Sequence, residues 1–305
     1  MLRKRLLLSI ITLAFTLLLP ASYGQADNKI TKVKVGVHLL DVTEINIKKG
    51  THSFDFYLSL WPENPKYKAH LELMNGITKR WEHADVSPSF RIARVKGEFS
   101  GIVDFRKYPF MNHSLLFTLE DKMLTEDKFR FIADQTKLYI DPGLDVPGWN
   151  VLGVEAETVI HKYPLFSEDF HQYRFKLNMS KSALASIVDD LLPLLLLVLA
   201  GFFSLWIAPT RLGEKNFIIM GVLLGTILRH MASKSNLPPL GYLTYLDKFV
   251  VINYISFVII LAINIGSFRL VNTLGEGIAR KFNRRAAWIT LIFWLILQYM
   301  VYHAK

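Results

Sequence analysis

There is no cysteine among the 305 residues, so no disulfide can staple any part of the chain, and an exported portion must stand on its own core. Catalytic patterns are missing as well. There is no G-x-S-x-G, no H-E-x-x-H, no P-loop and no Gly-rich dinucleotide turn; Gly275 to Ala279 reads GEGIA, lacks a third glycine and follows no strand pattern. The nine histidines are scattered without metal-ligand spacing, which leaves no expected metal, cofactor or enzyme activity. No internal repeat or low-complexity tract appears. The net charge of +10 points to no nucleic-acid partner, because much of it lies in short segments beside apolar runs.

The chain begins MLRKRLLLSIITLAFTLLLPASYGQA. Basic residues at Arg3 to Arg5, an apolar run through Leu19, and small residues near Ser22 and Gly24 predict a secretory signal peptide over residues 1–25. An uncleaved anchor is the other reading, weakened by the short run and its end at Pro20. Residues 26–181 then alternate: ITKVKVGVHLL sets Val33, Val35, Val37 and Leu39 on one side, and HSFDFYLSLW, SLLFTLE and YRFKLNM keep the same two-residue period. Many short strands separated by turn signals predict a β-sandwich, with a barrel as the alternative. Residues 182–305 change character. Four apolar stretches, at about 184–207, 215–234, 242–268 and 286–303, each approach the ~20 residues of a spanning helix. Arg211 and Lys215 fall between the first two, and Arg269, Arg280, Lys281, Arg284 and Arg285 before the last. Two basic loops held in the cytoplasm place both the β-domain and the C-terminus outside.

The second stretch, GEKNFIIMGVLLGTILRHMASKSNLP, is not uniformly apolar. Helical spacing gathers Glu214, Phe217, Gly221, Leu224, Leu228, Met231 and Ser235 into one stripe, while Arg229 and His230 lie off it. Several copies in a ring would make that stripe a channel wall; a buried bundle helix with satisfied charges fits the periodicity as well. The first stretch offers Asp189 and Asp190 as partners, and their ~100° separation lets one of them face the second helix. Pairing with Arg229 is the structural reading, and a proton-sensing carboxylate the other.

These residues carry a resemblance. GEK, then VLL, then LPPLGYLT is similar to the second transmembrane helix and following loop of the pentameric ligand-gated ion channels, the Cys-loop receptor superfamily in its bacterial, cysteine-free form. DFRKYPFMNHSL at 104–115 resembles that family's Pro-loop, and Lys181 to Pro193 resembles the approach to its first helix. The resemblance implies a homopentamer in the bacterial inner membrane, with a periplasmic β-sandwich and a four-helix pore domain. It implies Glu214 as a carboxylate ring favouring permeant cations, and Phe217, Gly221, Leu224, Leu228, Met231 and Ser235 as pore lining. Phe217 departs from the small hydroxyl residue common there, and a phenyl ring would narrow the pore. A solvated Glu214 paired with Lys215 is the plainer alternative.

The resemblance also implies a small-molecule agonist bound between neighbouring β-domains, in a cage drawn from Phe56, Trp81, Lys122, Tyr163, Phe166 and Phe170. Lys122 stands where amine-binding members carry an aromatic and would oppose a cation; strand aromatics equally serve as core. Coupling to the pore is expected through Lys48, Lys49, Tyr108, Pro109, Phe110, Lys181, Pro238 and Tyr242, with Met111 replacing the usual acid. The expected function is a ligand-gated, cation-selective channel. Its alternatives are a pH-gated channel of the same family and a membrane-anchored, non-conducting periplasmic receptor or scaffold.

Overall fold

The alternation from Val33 onward becomes a long strand, β1 (Thr31–Asn46), whose Val33, Val35, Val37 and Leu39 are all buried. The computed structural model describes residues 30–303, apart from the side chains of Ala84 and Asp85; the expected signal peptide lies outside the described residues. β1 is followed by β2 (Thr51–Pro62), β3 (Leu71–Leu73), β4 (Gly76–Ser87), β5 (Phe90–Ser100), β6 (Asn112–Asp121), β7 (Phe129–Ile140), β8 (Trp149–Tyr163) and β9 (Glu168–Lys181). One sheet runs β4-β5-β2-β1-β7 and the other β3-β6-β9-β8. All pairings are antiparallel except β1 with β7. The two sheets face each other across one apolar core, a sandwich rather than a closed barrel.

Aromatic rings fill the middle of that core. Phe56 from β2 stacks on Phe117 from β6 at 4.5 Å, and Phe117 stacks on Phe175 from β9 at 5.1 Å. Full burial of each such side chain stabilises the fold by about 2–3 kcal/mol. Phe56 is completely enclosed and is therefore a core residue, which corrects its expected place in a ligand cage. Period two explains it: Phe54, Phe56, Leu58 and Leu60 share one face of β2, and all four point inward.

Four helices follow, each long and apolar enough to cross a membrane: α1 (Ala183–Trp206), α2 (Leu212–Ser235), α3 (Tyr245–Leu274) and α4 (Glu276–His303). α1 is capped by Ser182 and widens into a π-turn over Ile187–Leu191, just before Pro193. Proline has no N–H to offer the carbonyl four residues back, which belongs to Asp189, and that oxygen is free for another donor. α3 starts on a capping box, with Thr244 and Asp247 exchanging side chain to backbone hydrogen bonds. Its end corrects the expected basic loop: α3 runs on past Arg269, Gly275 alone breaks the chain at φ 88°, and α4 begins at Glu276. Arg280, Lys281, Arg284 and Arg285 therefore ride on a helix, because Lys and Arg are good helix formers even where the apolar pattern has ended. Gly201 lets α1 approach α3 closely, since a Cβ there would come within 2.9 Å of the Phe257 ring.

The two parts meet at the Pro-loop segment, residues 104–111. Arg106 and Tyr108 offer their carbonyls to the first amides of α3, at Tyr245 (2.8 Å) and Leu246 (3.1 Å). A helix start leaves such amides without partners of its own, so the loop completes the helix.

Candidate functional site

The first turn of α2 carries Glu214, and its exposed face continues through Phe217, Gly221, Leu224, Leu228, Met231 and Ser235. Phe217 is 81% exposed, and nothing stands within 4 Å of where a Cβ on Gly221 would lie. The opposite face, Lys215, Ile219, Val222, Thr226 and Ser233, is buried against the other helices. In a single chain, then, the stripe points away from the bundle that holds it. Its own bundle does not wrap the helix on all sides, while Arg229 and His230 are paired with neighbours.

Glu214 does not pair with Lys215. Its carboxylate meets Arg211 at 3.4 Å, an exposed pair three residues apart, while Lys215 turns into the bundle and its Nζ has no hydrogen-bond partner among the described residues. Adjacent residues on a helix diverge by ~100°, so one faces out and the other in.

At the other end of α2 two carboxylates collect the off-stripe charges. Asp190, only 5% exposed, lies 3.3 Å from Arg229 and 3.6 Å from Lys181, and accepts hydrogen bonds from Tyr108 Oη at 3.2 Å and Ser233 Oγ at 3.4 Å. Arg229 also donates to the Asp189 carbonyl that Pro193 leaves open. Asp189 itself points outward, as the angular argument requires. Burial, with the Asp190 charge second, raises the Tyr108 hydroxyl above its ordinary value, so it stays a neutral donor. The second carboxylate is Asp247, which sequence reasoning missed. It sits 2.8 Å from His230 and 3.1 Å from Lys234, and Tyr254 Oη approaches the other ring nitrogen of His230 at 3.4 Å. Its signal was present in Thr244-Tyr245-Leu246-Asp247, a capping box at the start of an apolar run.

The coupling candidates divide. Lys48 Nζ donates to the carbonyl of Ser235 at 3.2 Å, tying the β1–β2 turn to the end of α2. Tyr242 Oη accepts from the Phe105 amide at 3.0 Å, and the Arg106 guanidinium lies over the Tyr242 ring at 4.8 Å. Phe110 meets the Tyr245 ring at 6.0 Å, and the Pro109 carbonyl accepts from Ser186 at 3.1 Å. Met111 is buried in the apolar junction with Phe105 and Tyr108. Lys49 is exposed and its amide bonds locally to Asn46; Pro238 makes no hydrogen bond across the junction.

The residues expected to form a cage fall in two groups. Trp81 and Lys122 line a cavity of about 670 Å³ together with Lys68, His70, His83 and Arg91, over a floor that includes Leu58 and Leu60. Tyr163 and Phe170 pack edge to face at 5.5 Å on the β8–β9 hairpin, where Tyr163 donates to Glu120 of β6 at 3.3 Å. Phe166 projects from the β8–β9 turn and is exposed.

Among curated proteins, the chain is similar to a proton-gated ion channel of Gloeobacter violaceus, with 20% identity over 260 residues that span 76% of this chain and 71% of that protein. No family model matches the chain. The relative is an ion channel and not an enzyme, in accord with a sequence that carries no catalytic motif. Together with four helices of membrane-crossing length, the similarity makes this a membrane protein with an extramembrane β-sandwich.

Proposed function

We propose that five copies of this chain, which is a relative of the pentameric ligand-gated ion channels in their bacterial, cysteine-free form, close into a ring and conduct cations across the inner membrane. The observation that carries the reading is the outward stripe of α2. It joins a carboxylate, a phenyl ring, a glycine and three large apolar side chains on one face, while the opposite face holds the helix to its own bundle. A face meant for lipid has no use for Glu214, whereas a ring of such carboxylates concentrates cations at the mouth. Phe217, Leu224, Leu228 and Met231 then form apolar constrictions that close by excluding water, and Gly221 leaves a wider chamber between them.

In this reading the β-sandwich and the C-terminus lie on the periplasmic side, and Arg211, Arg280, Lys281 and Arg284 on the cytoplasmic side. An agonist bound between neighbouring sandwiches acts through the junction, where Tyr108 of the Pro-loop and Lys181 at the end of β9 share Asp190 with Arg229 of α2. The basic rim of the Trp81 and Lys122 cavity disfavours ammonium ligands. A second reading, opening by protons, is favoured by the proton-gated relative and by the carboxylate clusters at the outer end of α2. Purified protein in planar bilayers, stepped through pH and a small-molecule screen, tests both. Cation currents under either stimulus are expected; binding without current under every condition would leave a receptor or scaffold.

A further inference from the structure

Sulfur chemistry in this chain belongs to methionine alone, since it has eight methionines and no cysteine. Met111 and Met179 are buried, whereas Met231 is 65% exposed. Met231 is also the outermost large apolar side chain on the exposed face of α2, above Leu228 and Leu224. The bond from Lys48 to the Ser235 carbonyl fixes where that end of the helix lies: against the β-sandwich, one turn or about 6 Å beyond Met231. Met220, also on α2 and exposed, lies three turns or about 16 Å deeper, on the far side of both leucines.

A thioether is apolar, so in the proposed pore a ring of Met231 side chains joins the leucines in excluding water. Oxidation changes that. We propose that Met231 is an oxidation site at the outer mouth of the pore, modified by small periplasmic oxidants of the hypochlorous acid class, and that its sulfoxide wets the adjoining leucine constriction and lets ions leak. Hypochlorous acid transfers its oxygen to a lone pair on sulfur. The thioether loses two electrons and becomes a sulfoxide, chlorine leaves as chloride, and the hydroxyl proton passes to water. The product is a polar, chiral side chain whose new oxygen accepts hydrogen bonds. An oxidant arriving from the periplasm meets Met231 before either leucine, so the reaction does not need an open channel, and Met220 is screened behind them. Methionine sulfoxide reductase restores the thioether. The inference rests on the pore reading and adds a chemical control to it.

Planar-bilayer recording of the purified full chain before and after hypochlorous acid, with peptide mass spectrometry of the same sample, tests it. Sulfoxide should form at Met231 and not at Met220 or Met179, and the current without stimulus should rise by about tenfold, the change that about 1.4 kcal/mol makes. Methionine sulfoxide reductase with its reductant should reverse the rise. Met231→Leu keeps the apolar bulk, so its current, compared with itself before treatment, should not respond to the oxidant. Met231→Gln carries a polar acceptor from the start and should leak without oxidant. Three results would overturn the proposal in a protein that conducts under its normal stimulus, and would leave the pore reading standing: oxidised Met231 with unchanged current, unoxidised Met231 beside oxidised Met123, which is exposed after β6, or an oxidant response that survives Met231→Leu. No current from any variant under any stimulus would overturn both.

Discussion

Replacing Asp190 with asparagine keeps the shape of the side chain and its hydrogen bonds from Tyr108 and Ser233, but removes the negative charge between Lys181 at 3.6 Å and Arg229 at 3.3 Å. Breaking a buried pair from one side costs about 3–5 kcal/mol, because the surviving charge stays desolvated. The Arg229 and Lys181 side chains keep 30% and 24% of their exposure, so water partly screens them and the low end, ~3 kcal/mol, applies. In a chain of this size that corresponds to a fall of roughly 5–10 °C in the unfolding midpoint. Asp190→Asn combined with Arg229→Gln removes the pair and leaves only Lys181 without its partner, so it should recover part of the loss, giving a coupling energy of about 1–2 kcal/mol in the double-mutant cycle. The assay is thermal unfolding of detergent-solubilised protein at fixed pH and lipid. A single variant as stable as the parent, or a double variant less stable than the sum of the two singles, would refute the idea that Asp190 joins the two parts of the molecule.

Three further outcomes follow from the geometry. Phe217→Ala should raise single-channel conductance or produce a standing leak, because it removes the bulkiest ring on the exposed stripe; unchanged currents would take Phe217 out of the pore. Glu214→Gln should move the reversal potential in a salt gradient towards zero by weakening cation preference, and an unchanged reversal potential would assign selectivity elsewhere. His52 is enclosed between Phe54 and Phe99, and burial pushes its pKa from 6.5 to about 4. The unfolded chain then takes up a proton before the folded one does, so stability falls as pH drops from 6.5 to 4, by ~2–3 kcal/mol near pH 4.5. His52→Gln should flatten that slope in chemical denaturation, and parallel slopes in both proteins would exclude His52 as its source.

The sandwich and the four helices were legible because period two and long apolar runs are local signals that packing then obeys, as β1 and α2 do. The α2 stripe was legible for the same reason, and so was the pairing of Arg229 with one of Asp189 and Asp190, though not which one, since helical geometry sets which face each residue shares. Phe56 was not, because alternation says that a strand has two faces and not which one meets the opposing sheet. The turn at Gly275 was hidden because charged helix ends fall below an apolar pattern. Asp247 was overlooked because its partners, His230 and Lys234, lie on another helix and only the folded bundle brings them near. Which strand each aromatic residue's neighbours come from depends on long-range pairing, which has no local signature.

The central claim is that the exposed face of α2 lines a water-filled pore, and the lack of native cysteine makes it directly testable. Single cysteines placed along α2 and exposed to a charged, membrane-impermeant thiol reagent during current recording should react and block at positions 217, 221, 224, 228 and 231, while 219, 222 and 226 stay inert. Inert positions along the whole stripe, with currents untouched, would place that face against lipid and contradict the account.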